Sequence, residues 1–304
     1  MLDVWPPYHV GDDQPENIIV YADDTTVNLS ASSTIELNDR LENQFRRISE
    51  YMVSQGLKLN DDKSHLLVFS NRSNDVILRT PLGNIMPSES EKFLGGVVQK
   101  NLKWDKHIHG EKDGLVQALN KRCSALKSIS KVAGFKTRKT MANGLFMSKL
   151  TYLISVWGGT TQKNLNSLQV VQNRVLKLVA RKWNASTAEN LKTVGWLSVH
   201  QLAFYHTVLM MYQIKQSRTV GGPVVPQYLV NMFNWNYGYQ TRDAVMEKIK
   251  PKEIPKLEKS KSSYRHRAAQ QFNRLPEDVV KSSTLEIFKR KVKLWIRDNV
   301  NLRA

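Results

Sequence analysis

Residues 17–30 read NIIVYADDTTVNLS. Ile18, Ile19, Val20 and Tyr21 are a run of β-formers, and Thr25, Thr26, Val27, Asn28 and Leu29 are a second one. The connection between them is too short for anything but a tight turn, so the stretch predicts a hairpin. Its tip carries two adjacent carboxylates, Asp23 and Asp24. A single Asp suits a turn through local hydrogen bonds, and a polar hairpin tip is the plain reading. Two carboxylates side by side repel each other, and a hard divalent cation held between them removes that objection.

Downstream of the hairpin, Leu37, Leu41, Phe45, Ile48 and Met52 form one apolar stripe between Ser33 and Gly56. Ser33 and Glu36 have the spacing of a capping box and Gly56 that of a helix stop. Strand returns around Leu66 to Phe69, a hairpin runs through TPLGN at 80–84, and EKFLGGVV at 91–98 is a further short strand. Strand, strand, helix, strand, strand, strand predicts an α+β layer, an antiparallel sheet backed by one helix.

From about residue 105 the periodicity becomes helical. Leu115, Leu119, Cys123, Leu126 and Ile129 share a face that ends near Gly134. Met141, Leu145, Ser148 and Tyr152 predict a second helix reaching to Gly158 and Gly159. Leu165, Leu168, Val171, Val175 and Leu178 predict a third, with Lys163, Arg174, Lys177, Arg181 and Lys182 on its other faces. Residues 199–216, VHQLAFYHTVLMMYQIKQ, are apolar on most sides and predict a core helix. TVGGPVVPQ at 219–227 and the basic IKPKEIPKLEKSKSS at 249–263 read as loops, and two basic helices follow at 263–275 and 284–298. The expected organisation is an irregular segment at 1–16, an α+β region at 17–100, a helical region at 101–216 and a basic helical tail with loops at 217–304.

Charge divides the chain in the same place. Residues 1–100 hold 9 Lys and Arg against 15 Asp and Glu, a balance of −6, whereas the remaining residues hold 36 against 12, a balance of +24. That asymmetry predicts a polyanionic partner for the second part, nucleic acid before a membrane surface, because no basic amphipathic anchor stands out. No apolar run reaches the ~18 residues of a membrane helix, and no membrane partner is expected. The single cysteine, Cys123, excludes a disulfide framework and a multi-cysteine zinc site. With no charged-then-apolar leader, an intracellular protein is expected, in nucleus or cytoplasm.

YADD at 21–24, GLKLNDDKS at 56–64 and EKFLGGVVQKNLKWDKHI at 91–108 together resemble the reverse transcriptase of non-LTR, jockey-like retrotransposons. The resemblance continues through residues 150–179, 236–244 and 263–296, in the same order. It implies the second half of a polymerase palm at 17–100, a thumb with the helices after it, and a C-terminal tail. It also implies an activity, attack of a DNA primer 3′-oxygen on a nucleotide α-phosphate, templated by RNA and assisted by two Mg²⁺ ions.

By position, Asp23 and Asp24 fall on the family's metal-binding pair, and Tyr21 lies beneath the primer end. Lys63 falls on a lysine near the leaving pyrophosphate, its plain reading being a solvated turn lysine. Phe93, Leu94, Gly95 and Gly96 fall on the primer grip. Trp104 and His107 match positions at the thumb entry and read as packing residues.

In that family the fingers and a third aspartate precede YADD, whereas here only MLDVWPPYHVGDDQPE does, with Asp12 and Asp13 on an irregular stretch. The expectation is therefore a C-terminal fragment of the polymerase, incomplete for catalysis and partnered by a missing palm and fingers segment. The alternative is a non-catalytic nucleic-acid-binding remnant or domesticated protein. Either way, the basic part should bind RNA and single-stranded DNA with little sequence preference. With about five phosphates neutralised, log K should fall with log salt at a slope near −3.5, as fluorescence anisotropy would measure; a flat response contradicts the assignment.

Overall fold

The structure, a computed structural model, describes residues 17–21, 24–70, 75–112, 114–218, 225–235, 249–251 and 263–300. The sequence readings of residues 1–16, of Asp23, of 236–244 and of most of both loops lie outside them. The chain divides into two units, residues 1–91 with 99–101, and residues 92–98 with 102–304.

In the first unit, β1 (Asn17–Tyr21) pairs antiparallel with β2 (Asp24–Asn28), Ile18 opposite Val27 and Tyr21 opposite Asp24. α1 (Thr34–Ser54) follows, the Ser33 hydroxyl accepting from the Glu36 N–H at 3.2 Å. The Glu36 carboxylate departs from the expected capping box. It accepts from the Ser32 N–H at 3.0 Å and the Ser32 hydroxyl at 2.7 Å, two charge-assisted bonds in place of one. Those bonds hold Glu36 below the usual carboxylate range.

Beside α1 lies a small core of Leu66, Val68, Val76 and Leu78, on which Leu37, Leu41, Phe45 and Ile85 pack. Asn38 ties α1 to it, accepting from the Ile77 N–H at 3.1 Å and donating to the Asp75 carbonyl at 3.4 Å. β3 (Leu78–Thr80) and β4 (Gly83–Ile85) form a hairpin, and β5 (Ser90–Phe93) pairs with β6 (Gly96–Gln99).

The sequence predicts one sheet here, but among the described residues these strands pair in twos. Each is three to five residues long and spends its described ladder inside its own hairpin. The expected strand at Leu66 to Phe69 is an extended run with a single bridge, Leu66 to Pro87.

The second unit is helical: α2 (Asp105–His109), α3 (Leu115–Ser130), α4 (Phe135–Ala142), a π-helical turn (Asn143–Met147), α5 (Ser148–Thr151), α6 (Ile154–Trp157), α7 (Gln162–Ala180), α8 (Thr187–Val194) and α9 (Val199–Gln216). Then come α10 (Gln227–Asn231), a two-residue pairing of β7 (Phe233–Asn234) with β8 (Lys250–Pro251), α11 (Tyr264–Phe272), α12 (Glu277–Val280) and α13 (Leu285–Asn299). α9 buries 12 of its 18 residues, and α6, α7, α11 and α13 pack around it. Tyr212 of α9 stacks on Phe288 of α13 with ring centroids 4.1 Å apart, and its hydroxyl donates to the Ser282 carbonyl at 2.6 Å. No helix of the described residues is long and apolar enough to cross a membrane.

The predicted stripe of α7 is buried at all five positions, as is most of that of α3. The second predicted stripe is corrected. Leu145 and Tyr152 are exposed, and the buried face is Ala142, Phe146, Leu150, Ile154 and Trp157. The π-helical turn widens the helix by about one residue per turn and advances the phase. The predicted helix also breaks early, at Leu153, whose φ of 55° is left-handed.

Apolar burial is lopsided. Among the described residues, the core of the helical unit contains 39 buried apolar side chains, and that of the first unit four. Gln44 of α1 is buried with neither end of its amide hydrogen-bonded, a cost of about 1–3 kcal/mol. Ile19, Val20 and Tyr21 of β1 are exposed. The first unit should therefore open first. Limited proteolysis is expected to cut within residues 17–91 and leave a resistant helical fragment; a resistant fragment confined to 17–91 would contradict this.

Candidate metal hairpin and nucleic-acid interface

The β1–β2 register leaves Ala22 and Asp23 between the paired ends, and both lie outside the described residues. Asp24 is the first residue of β2 rather than a turn residue, and its side chain is exposed. Across from it Tyr21 is 65% exposed, so the turn end of the hairpin presents a phenol and a carboxylate to solvent. Exposed carboxylate oxygen suits Mg²⁺. Among the described residues no three His, Cys, Asp or Glu side chains converge to hold a metal, and Asp23 is outside that set. Lys63 ends a single 3₁₀ turn (Asp61–Lys63) with its N–H donating to the Asn60 carbonyl at 3.1 Å, and its side chain is exposed.

The glycine-bearing tip of β5–β6 has a different setting. Leu94 and Gly95 both have positive φ, 46° and 79°, as the central pair of a two-residue hairpin turn requires. A left-handed Leu is strained by ~1–2 kcal/mol, and here the Leu94 carbonyl accepts from the Tyr152 hydroxyl at 2.7 Å. A Cβ on Gly95 would lie 3.3 Å from the Tyr152 ring, and one on Gly96 3.1 Å from the Leu153 side chain. The tip therefore docks on the break between α5 and α6, and the glycines serve that close approach. Phe93 is 37% exposed beside it.

β6 is also held next to its tip by His107, which is buried on α2. Its Nδ1 accepts from the Val97 N–H at 3.3 Å, and its ring lies between Trp104 and Trp157, with centroids 6.0 and 6.1 Å away. His107 was legible in the sequence only as packing; the bond to the hairpin backbone leaves no sequence signal.

The basic residues predicted to meet nucleic acid have unequal settings. Arg174 is exposed and donates to Asn120 Oδ1 at 3.2 Å; Lys177 is half-buried. The Arg181 guanidinium donates to the last carbonyls of α3, Ser130 at 2.6 Å and Lys131 at 2.8 Å, and so caps that helix. Lys182 donates to the Thr193 hydroxyl at 3.3 Å. Arg138, absent from the sequence reading, is buried and donates to the carbonyls of Val179 at 3.0 Å and Ala133 at 2.6 Å.

Comparison with known proteins gives a consistent relation. The chain is 26% identical over 168 residues to the RNA-directed DNA polymerase from mobile element jockey of Drosophila funebris, across 54% of this chain and 18% of that protein. It is 21% identical over 164 residues to the probable RNA-directed DNA polymerase from transposon X-element of Drosophila melanogaster, across 53% and 18%. Homologues of the chain are thus polymerases of non-LTR retrotransposons, and the matched stretch spans 18% of their length. No family model and no solved structure matches.

The packing around the second hairpin requires a neutral His107. Burial, with the Lys149 ammonium nearby, pushes its pKa down to about 4, and burial lowers His200 and His206 as well. Unfolding returns an imidazole to ~6.5, so between about 6.5 and 4 the unfolded chain binds more protons and stability falls as pH falls. Thermal melts at pH 7.5 and 5 should show that loss in the helical unit. His107→Gln, which keeps an acceptor but does not titrate, should show less of it; an equal loss would remove His107 from the account.

Proposed function

We propose, on the premise of homology to retrotransposon RNA-directed DNA polymerases, that this chain supplies the metal-binding hairpin, the primer-side hairpin and the thumb of such an enzyme, working on an RNA template and a DNA primer. The observation that carries the reading is the β1–β2 hairpin, whose YADD sequence closes two paired strands with Asp24 exposed at the turn end. Asp23 and Asp24 are the donors for Mg²⁺, joined by a carboxylate from another strand, because a two-metal site draws its ligands from more than one turn. Bound there, Mg²⁺ supplies charge neutralisation at the attacking and leaving oxygens. Lys63 is assigned to proton delivery near the pyrophosphate, and Tyr21, Phe93, Leu94, Gly95 and Gly96 to the primer side.

On this reading the 304 residues alone do not synthesise DNA. A second reading, a nucleic-acid-binding protein without catalysis, is favoured by one feature: residues 114–188 hold 13 Lys and Arg and no Asp or Glu.

A hybrid separates the two. The chain joined to a fingers and first-palm segment from a jockey-type polymerase should copy an RNA template in Mg²⁺, while the chain alone should not. Asp23→Asn should abolish synthesis, Asp24→Asn should reduce it severely, and Lys63→Ala should cost no more than about 10²–10⁴-fold, the range of general acid catalysis. A hybrid that remains active with both aspartates changed would overturn the metal assignment. Synthesis by the 304 residues alone would overturn the proposed division of the site.

A further inference from the structure

The acid-free stretch at 114–188 is not spread evenly in space. Its loops α3–α4 and α7–α8 are brought to one end of the helical unit by two arginines already described. Arg181 reaches from the end of α7 to the carbonyls of Ser130 and Lys131, and Arg138 bridges Val179 to Ala133. Around these joints Lys131, Lys136 and Lys182 are exposed. So is Trp183, at 58%, a large amount for an indole, together with Val132 at 90% and Phe135 at 42%.

The α7–α8 loop is held in shape. Asn190, 1% exposed, donates from its Nδ2 to the carbonyls of Lys182 at 3.2 Å and Ala185 at 3.3 Å. The loop apex between those carbonyls is Trp183 and Asn184. The nearby acid, Glu189, is engaged by the N–H and hydroxyl of Ser186, at 2.8 and 3.0 Å, which hold it below the usual carboxylate range, Lys182 adding to the effect.

We propose that this end of the helical unit is a single-strand nucleic-acid platform, with an unpaired base stacked on Trp183 and the flanking phosphates on Lys131, Lys136 and Lys182. The proposal rests on the nucleic-acid reading above and specifies one surface of it. An indole on a loop whose backbone Asn190 holds offers an exposed π-face at reduced ordering cost, and stacking tolerates any base. Lys131 and Lys182 lie on the two loops and Lys136 on the first turn of α4, and the Arg181 and Arg138 guanidiniums tie these segments together, so a strand crossing the joint meets positive charge on both sides of the ring. A membrane surface is the competing partner for an exposed Trp among lysines. The strand is favoured because the positive charge runs along α3, α4 and α7 as well, a track that suits a long polyanion better than a shallow point of insertion.

The test is fluorescence anisotropy of a labelled 20-mer single strand with the full chain, together with flotation on anionic and neutral vesicles. Trp183→Ala should weaken single-strand binding about 5- to 100-fold, and Trp183→Phe should keep it within a few-fold. Lys131→Ala, Lys136→Ala and Lys182→Ala combined should weaken binding and flatten the salt slope by about 2, from ~0.7 per phosphate. If Trp183→Ala binds as the parent does, the platform is wrong while the nucleic-acid reading stands. If the parent chain binds no strand at all, both fail. If Trp183→Ala instead loses binding to anionic vesicles and leaves the oligonucleotide unaffected, the surface belongs to a membrane and the proposal is overturned.

Discussion

The burial of α9 is the constraint on which the helical unit depends. A helix with 12 of 18 residues buried has no solvent face to speak of, so other helices must close around it. The sequence meets that demand from both directions along the chain. Ile154 and Trp157 of α6 and the stripe of α7 arrive from before it, and Phe272 of α11 with Phe288, Val292 and Ile296 of α13 arrive from after it. Its polar residues are used at its ends. Ser198 and Gln201 form a reciprocal capping box, and Gln169 and Gln172 of α7 bond the Val199 N–H and the Leu197 carbonyl, at 2.8 and 3.0 Å. The amide side chains thus fix where α9 begins against α7, and the apolar faces then determine the rest.

Positive charge on this unit does two kinds of work, and the structure separates them. The guanidiniums of Arg138 and Arg181 reach the C-terminal ends of α7 and α3, where orphan carbonyls and the negative end of the helix dipole favour a cation. They stabilise the joint of α3, α4 and α7. Lys131, Lys136 and Lys182 lie on the same joint but are exposed, and no acid between 114 and 188 neutralises them. A surface of like charges destabilises a fold, and it persists here over a core large enough to carry that cost.

Much of the helical unit was legible in the sequence, for a physical reason. α3, α7 and α9 are regular, so a 3.6-residue period reads their buried faces directly, as Leu165 to Leu178 illustrate. The reading failed where geometry departed from that period. The π-helical turn at Asn143–Met147 moved burial from Leu145 and Tyr152 to Phe146 and Leu150, and no residue type there announces such a turn. The hairpins at 17–28 and 78–85 were visible from turn residues and alternation, but 91–98, which reads as one strand, folds back on itself as β5 and β6. The expected single sheet is a set of two-stranded pairs among the described residues, since pairing between hairpins is a long-range choice. At the candidate site, residue type and function were only loosely coupled. Arg181 reads as a phosphate ligand and its guanidinium also caps α3, while Trp183 next to it sits in no motif and a lone Trp most often signals a core.

Stability and chemistry are distributed unequally between the two units, and the kinds of charge they carry explain why. Adjacent carboxylates are useful because they repel each other until a cation arrives, so the turn that holds them cannot be a source of stability without it. A basic surface for a polyanion faces outward and leaves its core intact. Among its described residues the first unit has five buried apolar side chains, four of them in one cluster, with an unsatisfied Gln44 amide and an exposed β1. The helical unit has a core of 39 buried apolar residues among those described. Under the proposed function, nucleic acid is held on the part with the large core, and metal binding falls to the part with the small one.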